Sequence, residues 1–118
     1  MFATSGKKQN KVYLWTLSPS TGELVYEPCS TGSFKRVYTD LAFSEDGQFL
    51  LAGSTSGDVT TFLVRNRGLS ASITVCGGGV RNLVCGKDGS FFVGGGDGSL
   101  THYERENVVS SFALPLFD

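Results

Sequence analysis

The sequence predicts an all-β chain built from short antiparallel strands in repeated four-stranded units. Composition points there first: sixteen glycines stand against three prolines, charged residues make up only 18% of 118, and Val, Phe, Thr and Ser are abundant. Such a balance favours many short strands joined by tight turns over helices. Two further observations agree with it. A pattern of strands and turns recurs along the chain, and the central strands are apolar on both faces.

The repeat is seen by laying "VYTDLAFSEDGQFLLAGSTSGDVTTFLVR", from Val37, beside "VRNLVCGKDGSFFVGGGDGSLTHYER", from Val80. Each reads as an apolar strand, an Asp-Gly turn, a strand ending in glycines, a second turn with Gly and Asp, and a third strand with an aromatic. Asp46-Gly47 returns as Asp88-Gly89, Gly57 as Gly98 and Phe62 as Tyr103. The offsets are about 41 or 42 residues, within the ~40–45-residue period of propeller blades. A truncated copy opens the chain: "FATSGKKQNKVYLWTL" matches the second half of the unit, with Trp15 where Phe62 and Tyr103 stand, and it lacks a first strand.

Each copy is followed by one more strand-like segment, "GELVYEP" from Gly22, "LSASITV" from Leu69 and "NVVSSFAL" from Asn107, so a full unit has four strands. The expected organisation is a partial first blade with its outer strand and connecting loop over 1–36, a second blade over 37–78 and a third over 79–118. "QFLLAG" and "SFFVGG" lack apolar-polar alternation, as expected of a sheet covered on both sides by neighbours. Trp15, Phe62 and Tyr103 are then read as the aromatics that fill the gaps between sheets.

Period, Asp-Gly turn, "GGGDGSLTHY" and third-strand aromatic together resemble WD-repeat β-propeller units over nearly the whole chain. The copies are degenerate. The Trp-Asp dipeptide survives only as Trp15-Thr16, Phe62-Leu63 and Tyr103-Glu104, and no Gly-His pair precedes either complete unit. Of the family's turn aspartates Asp97 alone is in register, with Gln9 and Ser56 in the other two places. The stretches "PCSTGSFKRVYTDLAFSEDG", "GSTSGDV" and "GGGVRNL" are similar to the cilia- and flagella-associated members of the family, which sit inside doublet microtubules. That resemblance implies an axonemal, cytoskeletal scaffold in a cilium or flagellum, with tubulin and axonemal proteins as partners. The runner-up is a cytosolic adaptor that docks peptides in a signalling or ubiquitin-ligase complex.

About two and a half to three blades fall short of the four or more that close a ring. The chain reads as an incomplete ring, and its two open blade faces are expected to drive self-association. A formal net charge of −1 supplies no overall field for nucleic acid or an anionic membrane, so neither is expected as a partner. The apolar runs are far shorter than the roughly 20 residues that span a bilayer. Cys29, Cys76 and Cys85 form an odd set without framework spacing, which suggests reduced thiols in an intracellular compartment.

No enzyme site is expected. "GGGDG", Gly94 to Gly98, has the look of a phosphate loop, but "SLTHYERE" after it alternates like a strand, whereas phosphate loops feed a helix N-terminus. Those glycines, like those of "GSTSGDV", are read as supplying left-handed backbone in hairpin turns and close approach between blades, with Gly47, Gly57, Gly89 and Gly98 as turn residues. Asp46, Asp58, Asp88 and Asp97 are read as turn carboxylates that bond backbone two residues on. The cysteines and His102 lack the two-to-four-residue spacing of zinc ligands, so neither metal nor cofactor is expected. What remains is a set of connections expected at one end of the blades, carrying Lys7, Lys8, Lys11, Lys35, Arg36 and Arg81. They are candidates for contact with an acidic protein surface, and equally suit solvated loops.

Overall fold

The computed structural model describes residues 1–5, 11–30, 36–104 and 107–113. Eleven strands and no helix occur among them. The first sheet has three strands, β1 (Phe2–Ser5), β2 (Val12–Leu17) and β3 (Leu24–Pro28). The second has four: β4 (Tyr38–Phe43), β5 (Phe49–Ser54), β6 (Asp58–Leu63) and β7 (Gly68–Thr74). The third repeats it with β8 (Val80–Cys85), β9 (Ser90–Gly95), β10 (Ser99–Glu104) and β11 (Asn107–Ala113). Every pairing joins sequence neighbours in antiparallel register, so each sheet is a meander that closes by local turns.

Registers confirm the repeat residue by residue. Leu50 stands opposite Phe62 in the second sheet, and Phe91 stands opposite Tyr103 in the third. In the first sheet Phe2 stands opposite Trp15, which makes its three strands the counterparts of strands two to four of the complete units. Irregularities recur too: the β4–β5 ladder shifts between Tyr38 and Asp40, and β8–β9 shifts between Val80 and Asn82.

The sheets are laminated through two apolar clusters. Between the first and second lie Val12 and Leu14 on one side, and Leu50, Ala52, Phe62 and Val64 on the other. Between the second and third, Leu51 and Val59 meet Val80, Leu83, Phe91, Val93 and Tyr103. Consecutive residues of β5 therefore enter different clusters, Leu50 and Ala52 one and Leu51 the other, and all three have no exposed surface. Alternating side-chain direction makes that burial possible only with a layer on each side.

Polar groups stitch the same seams. Thr39 Oγ1 donates across the sheet boundary to the Val80 carbonyl at 2.7 Å, and the Leu83 amide donates to Asp40 Oδ2 at 2.7 Å. At the Asp-Gly turns, the amide of Asp88 donates to Glu45 of the preceding sheet at 3.0 Å. A Cβ on Gly53 would run into the Val80 side chain, so that glycine sets how closely the second and third sheets approach.

Candidate functional site

One end of the stack gathers the turn between β5 and β6, the connection from β7 to β8, and the turn between β9 and β10. The Val75 amide donates to the Gly57 carbonyl at 2.9 Å, and the Gly96 amide donates to Gly79 at 2.7 Å. The Thr55 amide donates to Val37, which draws in the connection that enters the second sheet. Gly57 and Gly98 occupy the same turn position in successive sheets, with φ of +88° and +82°. A Cβ on Gly57 would collide with the Cys76 carbonyl, whereas one on Gly98 would meet nothing. Backbone against backbone, with a strand following each turn, is the work these glycines do, and no helix N-terminus faces them.

Two carboxylates hold this end together in parallel ways. Asp97 Oδ2 accepts from the Gly77 amide at 3.1 Å, and its Oδ1 accepts from the Ser99 amide at 3.0 Å and hydroxyl at 2.6 Å. The Ser99 bonds, joined by Gly77, hold the Asp97 carboxyl below its usual range. In the second sheet Asp58 pairs with the Arg36 guanidinium and accepts from Thr74 Oγ1 at 2.7 Å. Burial opposes ionisation of Asp58, but the hydrogen bonds from Arg36 and Thr74, with the charge of Arg36, outweigh it and lower its pKa. In both sheets, then, an acid at the second turn fastens the connection arriving from the sheet before.

The sequence-derived residues fall out unevenly. Phe62 and Tyr103 have no exposed surface and lie between sheets. Trp15 holds the equivalent register but does not lie between two sheets: its indole sits on the outer face of the first, stacked on Phe2 with centroids 6.0 Å apart and bonded to Thr4 Oγ1 at 2.8 Å. Among the described residues no sheet covers that side. Asp46 accepts from Ser44 Oγ at 2.6 Å and from the Gln48 amide at 3.0 Å. Asp88 adopts a φ of 56°, a left-handed conformation that Asp tolerates.

Of the basic candidates, Lys7, Lys8 and Lys35 lie outside the described residues. Arg36 is turned to Asp58, whose side chain is only 8% exposed, so it serves the fold at that contact. Arg81 is exposed, its Nε 3.2 Å from where a Gly96 Cβ would stand. Lys11 leads into β2. It lines a cleft at the outer seam of the first two sheets with Glu27, Ser30, Asn66 and Arg67. Sequence reading missed Asp40, Glu45 and the Arg36–Asp58–Thr74 cluster as bridging groups. The shared offset between Arg36 and Gly77, each leading into a first strand, was the available signal.

Among the described residues no group of three or more His, Cys, Asp and Glu could hold a metal ion, and no helix is long and apolar enough to cross a membrane. Against solved structures the match is extensive. A chain of the "Mitotic Checkpoint Complex" superposes with a TM-score of 0.76 over 96% of this chain and 33% of that one, at 16% identity. The Cps50 (Swd1) β-propeller domain of Myceliophteria thermophila gives 0.74 over 94% of this chain and 40% of that one, at 15% identity. The chain has the fold of WD-repeat β-propeller blades.

The three sheets are therefore blades, with β4 and β8, the first strands of the second and third, lying against each other at one edge. No family model matches the chain. Among curated proteins, Cilia- and flagella-associated protein 52 of Bos taurus is 29% identical over 103 residues, which is 85% of this chain. This chain spans 16% of that relative's length.

Proposed function

We propose that the chain is a non-enzymatic scaffold of ciliary or flagellar axonemes, in which rigid blades present loops to tubulin and to neighbouring axonemal proteins. The observation that carries this reading is the likeness to Cilia- and flagella-associated protein 52 along 85% of the chain. Blade architecture supports the mechanism. Turns fastened by Asp58 and Asp97 have little freedom to reorganise, so a partner meets a surface already in its bound shape, which limits the entropy lost on binding.

Contact groups follow from what the fold leaves unused. Arg81 is exposed at the turn end of the third blade, and Lys7, Lys8 and Lys35 belong by sequence to the neighbouring connections. Cations at these places would complement an acidic partner and steer its approach more than they set the final affinity. Arg36 is assigned to blade integrity instead.

Co-sedimentation with salt-washed axonemes tests the proposal. The chain is expected to pellet with axonemes, and the double variant Lys35→Glu, Arg81→Glu to pellet several-fold less while keeping its circular dichroism. Pelleting no greater than that of an unrelated propeller domain would overturn the axonemal reading. Unchanged pelleting of the variant would remove the basic loops from it.

A further inference from the structure

A cleft of about 610 Å³ opens at the outer seam where the first blade meets the second. Lys11, Glu27 and Ser30 reach it from the side of the first blade, Asn66 and Arg67 from the second, so both walls belong to a seam closed within this chain. The Ser30 amide, donating to the Arg67 carbonyl at 2.8 Å, ties the walls together. A volume of this order accommodates a ligand or a short peptide segment.

Arg67 is held there in an unusual way. Its φ of 59° is left-handed backbone, usual for Gly and uncommon for other residues, and an outlier of this kind points toward function. Nη1 donates to the Val64 carbonyl. Nη2 stands 3.7 Å from Glu27 Oε1, beyond hydrogen-bond reach, and Nε is buried with no hydrogen-bond partner among the described residues. Nε and Nη2 form the edge of the guanidinium fork that grips a carboxylate through two parallel bonds. A buried donor without a partner costs free energy, which an acceptor brought to it returns.

Charge decides which acceptor fits. Lys11 and Arg67 against Glu27 leave the cleft one positive charge in excess, which a single carboxylate balances and a phosphate dianion overshoots. Glu27 already sets one carboxylate near the fork, and at 62% side-chain exposure it can give way to another. We propose that the cleft docks an acidic peptide segment of a partner protein, one Glu or Asp carboxylate taking Nε and Nη2 of Arg67 as the guanidinium turns toward it, with the Lys11 ammonium alongside. Asn66 Oδ1 accepts from the Gly68 amide at 2.8 Å, which leaves the Asn66 amide nitrogen to donate to the backbone of the segment. The site belongs to the first seam, whereas Arg81 belongs to the third blade, and it does not rest on the axonemal reading.

Fluorescence anisotropy of a labelled hexaglutamate peptide, titrated with the chain at physiological salt, tests the proposal. The wild-type chain is expected to bind, and Glu27→Gln to bind several-fold more tightly because a competing carboxylate is gone. Lys11→Glu is expected to bind about tenfold more weakly. Arg67→Gly suits the left-handed backbone and removes the fork, while Arg67→Lys keeps the charge without the fork. Both are expected to lose about tenfold or more with unchanged circular dichroism. Arg81→Glu should leave binding unchanged, since charges further apart than a Debye length are screened. Should the Arg67 variants fail to fold, Lys11→Glu and Glu27→Gln, both at exposed positions, decide the matter. A wild-type chain that does not bind, Arg67 or Lys11 variants that bind as tightly as wild type, or inorganic phosphate that binds through Arg67 where the peptide does not, overturns the proposal.

Discussion

Leu14 of the first blade and Phe62 of the second lie in one sealed cluster, with 1% and 0% of their surfaces exposed. Tyr103, at the same register one blade later, is equally sealed, while Trp15, one blade earlier, faces outward. Truncating a large buried aromatic removes its transfer energy and leaves a cavity, a loss of about 3–5 kcal/mol for Phe→Ala. Phe62→Ala is therefore expected to cost that much in urea denaturation of the chain. Trp15→Ala should cost about 1 kcal/mol, the scale of an exposed aromatic pair. Similar losses at the two positions would mean that the Trp15 face is already covered.

Acid should loosen the turn end. The carboxyl of Asp58 titrates below its ordinary value of about 3.9 in the folded chain. A depressed pKa contributes stability that is present above the unfolded value and lost as pH falls through the folded one. Stability is accordingly expected to decline below about pH 4 and to decline less steeply in Asp58→Asn. At neutral pH that variant should lose about 2 kcal/mol, because a charge-assisted hydrogen bond is worth roughly 1.5–3. Equal acid sensitivity of variant and wild type, followed by denaturant midpoints across pH, would contradict the Arg36–Asp58 account.

Gly57 and Gly98 hold the same turn position, and their substitutions should nonetheless differ. Left-handed backbone alone costs a residue with a Cβ about 1–2 kcal/mol, which is the expectation for Gly98→Ala. Gly57→Ala adds a collision with the Cys76 carbonyl and should cost an additional 1–3 kcal/mol, the scale of overpacking. Equal midpoints for the two variants in thermal melts would show that the β7–β8 connection does not rest on Gly57.

Burial pushes the Cys29 thiol up to about 11, against the opposing charge of Arg67. With 4% exposure it is also shielded from reagents. Since the thiolate is the reactive form, Cys29 is expected to resist alkylation at pH 8 until the chain unfolds. Cys76 and Cys85 are half-buried and should be modified first. Mass spectrometry of partly alkylated protein that finds Cys29 among the early sites would contradict its placement under the first two blades.

Much of the fold was legible because its signals are local and periodic. The recurrence of Asp46-Gly47 and Phe62 one blade later marks strands and turns, and "FLLAG" without alternation marks a two-sided sheet. Orientation was not legible. Whether Asp58 looks outward from a turn or inward to Arg36, 22 residues away, depends on how the incoming connection folds across the turn. Asp40 bonds the Leu83 amide 43 residues on, and no spacing within either strand announces it. Nor does any spacing show that Lys11 shares a cleft with Arg67 of the second blade.

Contacts between blades are the most direct test of the stack itself. Nuclear Overhauser spectra on the methyl-labelled chain should show Leu14 methyls close to the Phe62 ring, and Leu51 methyls close to the Tyr103 ring. Leu51 should show no contact with Leu14, because neighbours on β5 face different blades. Finding those cross-blade contacts would establish face-to-face lamination. Finding Leu14, Leu51, Phe62 and Tyr103 in one common cluster would instead describe a single shared core, and would contradict it.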